Sequence, residues 1–100
     1  YNGIFDSTKE LADAEDFDLN NAPNPFNQST IISFNLKENT EVSLAVFDIA
    51  GRLVKTLINT SLNAGQHRVE FSSDAHASGT YFYRLTTDRY IANQKMVLVK

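Results

Sequence analysis

The sequence predicts an all-β fold, an antiparallel β-sandwich of about seven short strands. Three observations lead there. Apolar and polar residues alternate along most of the chain, the period of a strand with one core face. These runs recur at spacings of about ten residues, with turn-forming residues between them. No βαβ pattern and no internal repeat interrupts the series. Before Phe17 stands an acidic stretch of different character.

That stretch carries Asp6, Glu10, Asp13, Glu15, Asp16 and Asp18 against Lys9 alone. Ser7 followed by Glu10 has capping-box spacing, and Leu11, Ala12 and Ala14 can continue a short helix. The same acidity suits a solvated linker. Residues 1–16 are therefore expected to be an acidic linker or a short helix. The carboxylates do not follow the alternating ligand spacing of a calcium loop around a central glycine, so no metal site is expected.

Residues 17–100 form the predicted sandwich. Phe17 and Leu19 alternate as a first strand. Pro23 and Pro25 lack N–H donors and stop its ladder, and Phe26 reads as an apolar plug under the bend. Ile32, Phe34 and Leu36 give the next strand its core face. Lys37 to Thr40 is expected to be a polar hairpin loop.

The stretch from Val42 to Leu57 reads as a hairpin. Val42, Leu44 and Val46 alternate with Ser43, Ala45 and Phe47, and the run breaks at Asp48-Ile49-Ala50-Gly51-Arg52. Gly51 can take positive φ. Asp48 offers a short acceptor to turn N–H groups, and Arg52 is close enough to pair with it. Ile58 to Gly65 then reads as a longer connection.

His67, Val69 and Phe71 line one face of the following strand. Ser72 to Ser78 is a loop. Gly79 opens a strand whose inner face is Tyr81, Tyr83 and Leu85. After a turn at Asp88-Arg89-Tyr90, the last strand runs through Met96, Val97, Leu98 and Val99 to Lys100. Its unbroken apolar run predicts a strand covered on both sides, or one whose outer face meets a partner.

The bulk properties exclude several functions. A net charge of −3 lacks the basic face of a nucleic-acid binder. No apolar run reaches the roughly 18 residues of a membrane-spanning helix. The chain has no cysteine, hence no disulfide framework and no thiol chemistry. Tyr1 opens the chain without a Met, which suits a piece of a longer protein.

No catalytic machinery is expected. His67 falls in register with Val69 and Phe71. His76 lies in a loop near Asp74 and three serines, but without the strained nucleophile turn that a triad requires. No phosphate loop is present, and two histidines without cysteine make a poor zinc site. Neither a cofactor nor a small-molecule substrate is expected. Phe47, Phe82 and Tyr90 are candidate outward aromatics for sugar or peptide, although tryptophan is absent. Asn27-Gln28-Ser29 and Asn59-Thr60-Ser61 match the glycosylation sequon.

Five segments carry a resemblance. Pro23-Asn24-Pro25-Phe26-Asn27, Val46 to Arg52, Ala64 to His67, Gly79 to Leu85, and Lys95-Met96-Val97-Leu98-Val99-Lys100 together resemble the C-terminal sorting domain of type IX (Por) secretion cargo. That family closes secreted proteins of the Bacteroidetes and related bacteria. The resemblance covers about residues 17–100. Phe47 stands where family members often have Tyr, and Phe71 where they often have Trp; both keep an aromatic filler.

The resemblance implies an Ig-like sandwich acting as a non-catalytic export signal. Its implied partners are the type IX outer-membrane translocon, shuttle proteins and a cell-surface sortase of the cysteine-peptidase type. The path would lead through the periplasm to the cell surface or the medium. It implies recognition residues Pro23, Asn24 and Pro25; Asp48, Gly51 and Arg52; Gly79 and Tyr81; and Lys95 to Lys100. A cut would fall within residues 1–16, and Asp6-Ser7-Thr8 resembles an O-glycosylation site of the phylum. The alternatives are a structural Ig-like module and an accessory carbohydrate-binding module of a secreted enzyme. A last strand with apolar residues on both faces also suggests a sheet edge open to β-augmentation.

Overall fold

The computed structural model describes residues 9–100, and two sheets face each other in a sandwich. One contains β1 (Glu10–Leu11), β8 (Tyr90–Leu98), β7 (Gly79–Thr86), β4 (Thr40–Asp48) and β5 (Leu53–Leu62), in that order. The other contains β2 (Asn20–Ala22), β3 (Ser29–Leu36) and β6 (Gly65–Ser72). All pairings are antiparallel except β1 with β8.

The period-2 pattern sets the two inner faces. Ile32, Phe34 and Leu36 from β3 meet Val42, Leu44 and Val46 from β4 and Tyr83 and Leu85 from β7, all buried. Inward residues alternate with outward ones, as in a half-solvated antiparallel sheet. Because the apolar faces of β3 and β4 oppose each other, these strands belong to different sheets. Lys37 to Asn39 is therefore a crossing between layers, not the hairpin loop its polarity suggested. The Asn39 Oδ1 accepts from the Ala64 N–H at 2.8 Å, tying this crossing to the second one at Asn63-Ala64.

Three further expectations are corrected. Glu10 and Leu11 form a strand rather than a helix, pairing with Tyr90 and Ile91. The helical turn falls on Ala14–Phe17 and is capped by Asp13, whose backbone N–H donates to Asp16 Oδ2 at 3.2 Å. Ser7 and the Asp6-Ser7-Thr8 segment lie outside the described residues. Phe17 sits in this turn, not in a first strand. Its ring meets Tyr90 edge-on at 6.0 Å, and both Phe17 and Leu19 are buried.

Ile58 to Leu62 extend β5 instead of forming a connection. Ile58 pairs with Leu44 and Leu62 with Thr40. The stretch is polar because β5 is the sheet's edge and Asn59, Thr60 and Ser61 face water. Bulges at Val54 and Leu57 interrupt the register; such bulges and an edge Lys blunt an exposed strand.

One polar chain ties the sheets together through the core. The fully buried Tyr83 hydroxyl donates to Asn21 Oδ1 at 3.0 Å. The Asn21 amide donates to Thr30 Oγ1 at 3.1 Å, and the Thr30 hydroxyl donates to the Pro23 carbonyl at 2.8 Å. Burial pushes the Tyr83 phenol above its ordinary range, so it stays a neutral donor. Replacing Tyr83 with Phe removes the donor to Asn21 Oδ1. A loss of about 1–2 kcal/mol is expected in urea unfolding; an unchanged midpoint would show that the bond carries no stability.

Candidate functional site

Four segments that are far apart in sequence lie side by side at one end of the sandwich. Pro23–Phe26 flanks β8, β8 flanks β7, and β7 flanks the end of β4. The registers that define this are Phe26 with Leu98, Gly79 with Leu98, Tyr81 with Met96, and Asp48 with Tyr81. Every recognition residue implied by the resemblance lies in this array. The Ala64 to His67 segment does not; Gly65 pairs with Leu36 at the other end.

The first segment works as a clamp. The Phe26 N–H donates to the Val97 carbonyl at 2.9 Å, and the Val99 N–H donates to the Phe26 carbonyl at 2.8 Å. Pro25 has no N–H to continue this ladder. The Asn24 side chain takes its place, Oδ1 accepting from the Val97 N–H at 3.0 Å and Nδ2 donating to the Lys95 carbonyl at 3.4 Å. One carboxamide thus acts as the peptide unit a neighbouring strand would have supplied. Phe26 fills the core beneath, 2 % exposed, with Phe71 edge-on at 6.1 Å. Both prolyl bonds are cis.

This changes the reading of the last strand. β8 is not an open edge: β7 covers one side, and β1 and the clamp cover the two ends of the other. Met96 and Leu98 point inward at 0 % and 1 % exposure, Val97 is half-buried on the outer face, and Val99 is 53 % exposed beyond the strand. Alternation therefore survives inside the apolar run. The Lys100 N–H donates to Ser78 Oγ at 2.9 Å. The sequence offers Ser78 only as one of the serines near His76, and Thr30 only as the residue following the Pro23–Asn27 motif with Ser29; neither bonding role is foreseen from it. A lone hydroxyl beside a glycine or inside a strand carries no signal until its partner is in place.

The hairpin turn is built around one carboxylate. Asp48 Oδ1 accepts from the Ala50 and Arg52 N–H groups, both at 2.9 Å, and Oδ2 accepts from Arg52 Nε at 2.9 Å. Gly51 closes the turn at φ 85° and donates its N–H to the Asp48 carbonyl. The Arg52 N–H first, then the Arg52 guanidinium and the Ala50 N–H, hold the Asp48 carboxyl below its ordinary value of 3.8. A depressed folded-state pKa gives stability that is present above 3.8 and lost as pH falls through the lower folded value. Accordingly, Asp48→Asn is expected to weaken the domain at pH 7 and to flatten its acid limb. Urea midpoints at pH 7 and pH 2 test this, and equal pH dependence in both proteins would contradict it.

At Gly79, φ is 153°, and a Cβ built there meets nothing within 4 Å. The glycine serves the backbone, turning the chain from the Ser78 capture into β7. Tyr81, two residues on, is buried and donates its hydroxyl to the Ala77 carbonyl at 2.6 Å, which fixes the loop before it.

The remaining candidate groups are dispersed. His76 stacks on Phe71 at 5.2 Å, and His67 packs on Phe34 at 5.5 Å. Among the described residues no three His, Asp or Glu side chains gather as a metal ion would need. Phe82 and Tyr90 share no groove. Phe82 lines a shallow groove of about 430 Å³ with Ile49, Ala50 and Asn93. Tyr90 lines a cleft of about 260 Å³ at the opposite end, with Phe17, Leu36 and Arg89.

A family model described as a secretion system C-terminal sorting domain matches residues 22–100. The fold is similar to a crystal structure of an uncharacterized protein from Bacillus anthracis strain Ames. That likeness has a TM-score of 0.62 at 11 % identity and covers 94 % of this chain and 87 % of the other, so it speaks to fold alone. No curated protein matches the sequence.

Proposed function

Because this chain belongs to the secretion system C-terminal sorting domain family, we propose that it is the non-catalytic signal that carries a type IX cargo out of the cell. The observation that carries this reading is the convergence of the four segments at one end of the sandwich, where Pro23, Asn24, Pro25, Lys95, Val99 and Lys100 are exposed on one surface above the buried Tyr81, Met96 and Leu98. A signal read by a partner requires such a surface, and an active-site pocket does not produce it. The reading extends to the outer-membrane translocon and its shuttle proteins as partners. It continues with a cell-surface sortase of the cysteine-peptidase type that removes the domain or anchors the cargo. The passage runs from periplasm to cell surface or medium.

The domain limits follow the same reading. Residues 17–100 are the signal, and residues 1–16 hold the cut. Within that segment Glu10–Leu11 is paired with β8, and Ala14 to Asp16 belong to the capped turn that ends at Phe17 against the core. A peptidase needs extended chain, so cleavage at either place must first unpair it.

The test is a fluorescent periplasmic reporter fused to residues 1–100 in a host with type IX secretion. The fusion is expected at the cell surface or in the medium. Retention in the periplasm, with circular dichroism showing a folded domain, would overturn the reading.

A further inference from the structure

The recognition end differs from the rest of the molecule in charge. Residues 22–30, 48–55, 72–80 and 95–100 build it and hold Arg52, Lys55, Lys95 and Lys100 against Asp48 and Asp74. Residues 9–17, 37–41 and 87–90 build the opposite end and hold three cations against seven carboxylates. A chain of net charge −3 thus turns its positive pole toward its recognition segments. Arg52 and Asp48 pair with each other and cancel, which leaves Lys55, Lys95 and Lys100 against Asp74. Lys55, Lys95 and Lys100 have no ion-pair partner among the described residues.

The same end presents apolar side chains. Ile49 is 73 % exposed, Leu53 60 % and Val99 53 %. A single exposed apolar residue is ordinary, but three of the five large ones exposed among the described residues lie here. Ile49 also borders the groove floored by Phe82, and Lys95 is the direct cross-strand neighbour of Phe82. The groove therefore joins the apolar Ile49, Ala50 and Phe82 with Asn93 and with Asp48, whose carboxylate is held by the turn and Arg52, and it has the Lys95 cation beside it. Because the clamp closes the edge of β8, and bulges at Val54 and Leu57 blunt the edge of β5, a partner reads this end through side chains rather than by adding a strand.

We propose that the partner of this end is a protein surface rich in carboxylates, with an apolar side chain that seats between Ile49 and Phe82. Lys95 and Lys100 steer it into place. This rests on the sorting-signal reading and gives the partner its chemistry. Complementary fields act mainly on encounter rate and orientation, while the apolar contact holds the complex.

The reporter fusion tests it with paired charge changes. Lys95→Glu with Lys100→Glu is expected to slow export about tenfold or more. Lys95→Arg with Lys100→Arg keeps the charge and should export within about twofold of the unaltered fusion. Lys37→Glu with Arg89→Glu changes net charge equally at the opposite end and should also stay within about twofold. Circular dichroism checks each fold. Unslowed export of the Lys95/Lys100 reversal, equal slowing by both reversals, or failure of the arginine pair would each overturn the proposal. So would charge-dependent binding of the purified domain to phosphatidylglycerol vesicles, which would assign the surface to an anionic membrane. If the unaltered fusion is itself retained, the sorting-signal reading falls, and this inference with it.

Discussion

Removing Met96 to Lys100 is expected to unfold the domain rather than merely delete a signal. Met96 and Leu98 are fully buried, and truncating a buried Met or Leu costs about 2–5 kcal/mol each. The deletion also strips the pairing of Tyr81, Thr80 and Gly79 with Met96, Val97 and Leu98, and it leaves the Phe26 backbone groups and Asn24 Oδ1 without partners. A domain of this size holds roughly 5–15 kcal/mol in total. The shortened chain should lose its cooperative thermal transition by circular dichroism. A cooperative transition close to that of the full chain would contradict this. An export defect in such a truncation therefore does not place recognition in the last strand. Substitutions at Lys95, Val99 and Lys100, which point away from the core, separate reading from folding.

The second large effect belongs to Phe26. Phe26→Ala is expected to lower stability by about 3–5 kcal/mol, measured as a fall in the urea midpoint. The ring lies under the clamp against Phe71, so its loss should also loosen the bonds between the Phe26 backbone and Val97 and Val99. Amide exchange at Val99 should then quicken more than at Leu85, which lies in the interior of β7. A loss below about 1 kcal/mol would mean that the clamp is held by Asn24 and the backbone alone.

Much of this was legible in the sequence, and what was not has physical causes. The inner faces of β3 and β7 follow directly from alternation, because a half-buried strand must alternate. The turn at Asp48 to Arg52 was readable because its acceptor, its glycine and its ion-pair partner all lie within five residues. The second half of β5 was hidden because an edge strand tolerates polar residues on both sides. Glu10 and Leu11 were hidden because two paired residues carry no periodicity. The crossing at Lys37 to Asn39 looked like a hairpin loop, since composition does not say which sheet the next strand joins. Phe26 was recognisable as a plug, but no local pattern tells that Asn24 would hydrogen-bond to Val97. The resemblance picked out these segments; the pairing of β8 with both β7 and the clamp is what brings them together.

The clamp has one more consequence, which concerns timing. Asn24 and Val97 are 73 residues apart, so the bond between them waits on nearly the whole domain being synthesised. Contacts of such long separation form late. Until Val97 and Val99 arrive, Asn24 and Phe26 have nothing to hold, and the Asp48 turn and Gly79 have no completed surface to share. A chain broken off a few residues early has every earlier segment yet displays no assembled end. This end of the fold thus closes only in a chain that reaches Val99, so its hydrogen bonds record the length of the chain that made them.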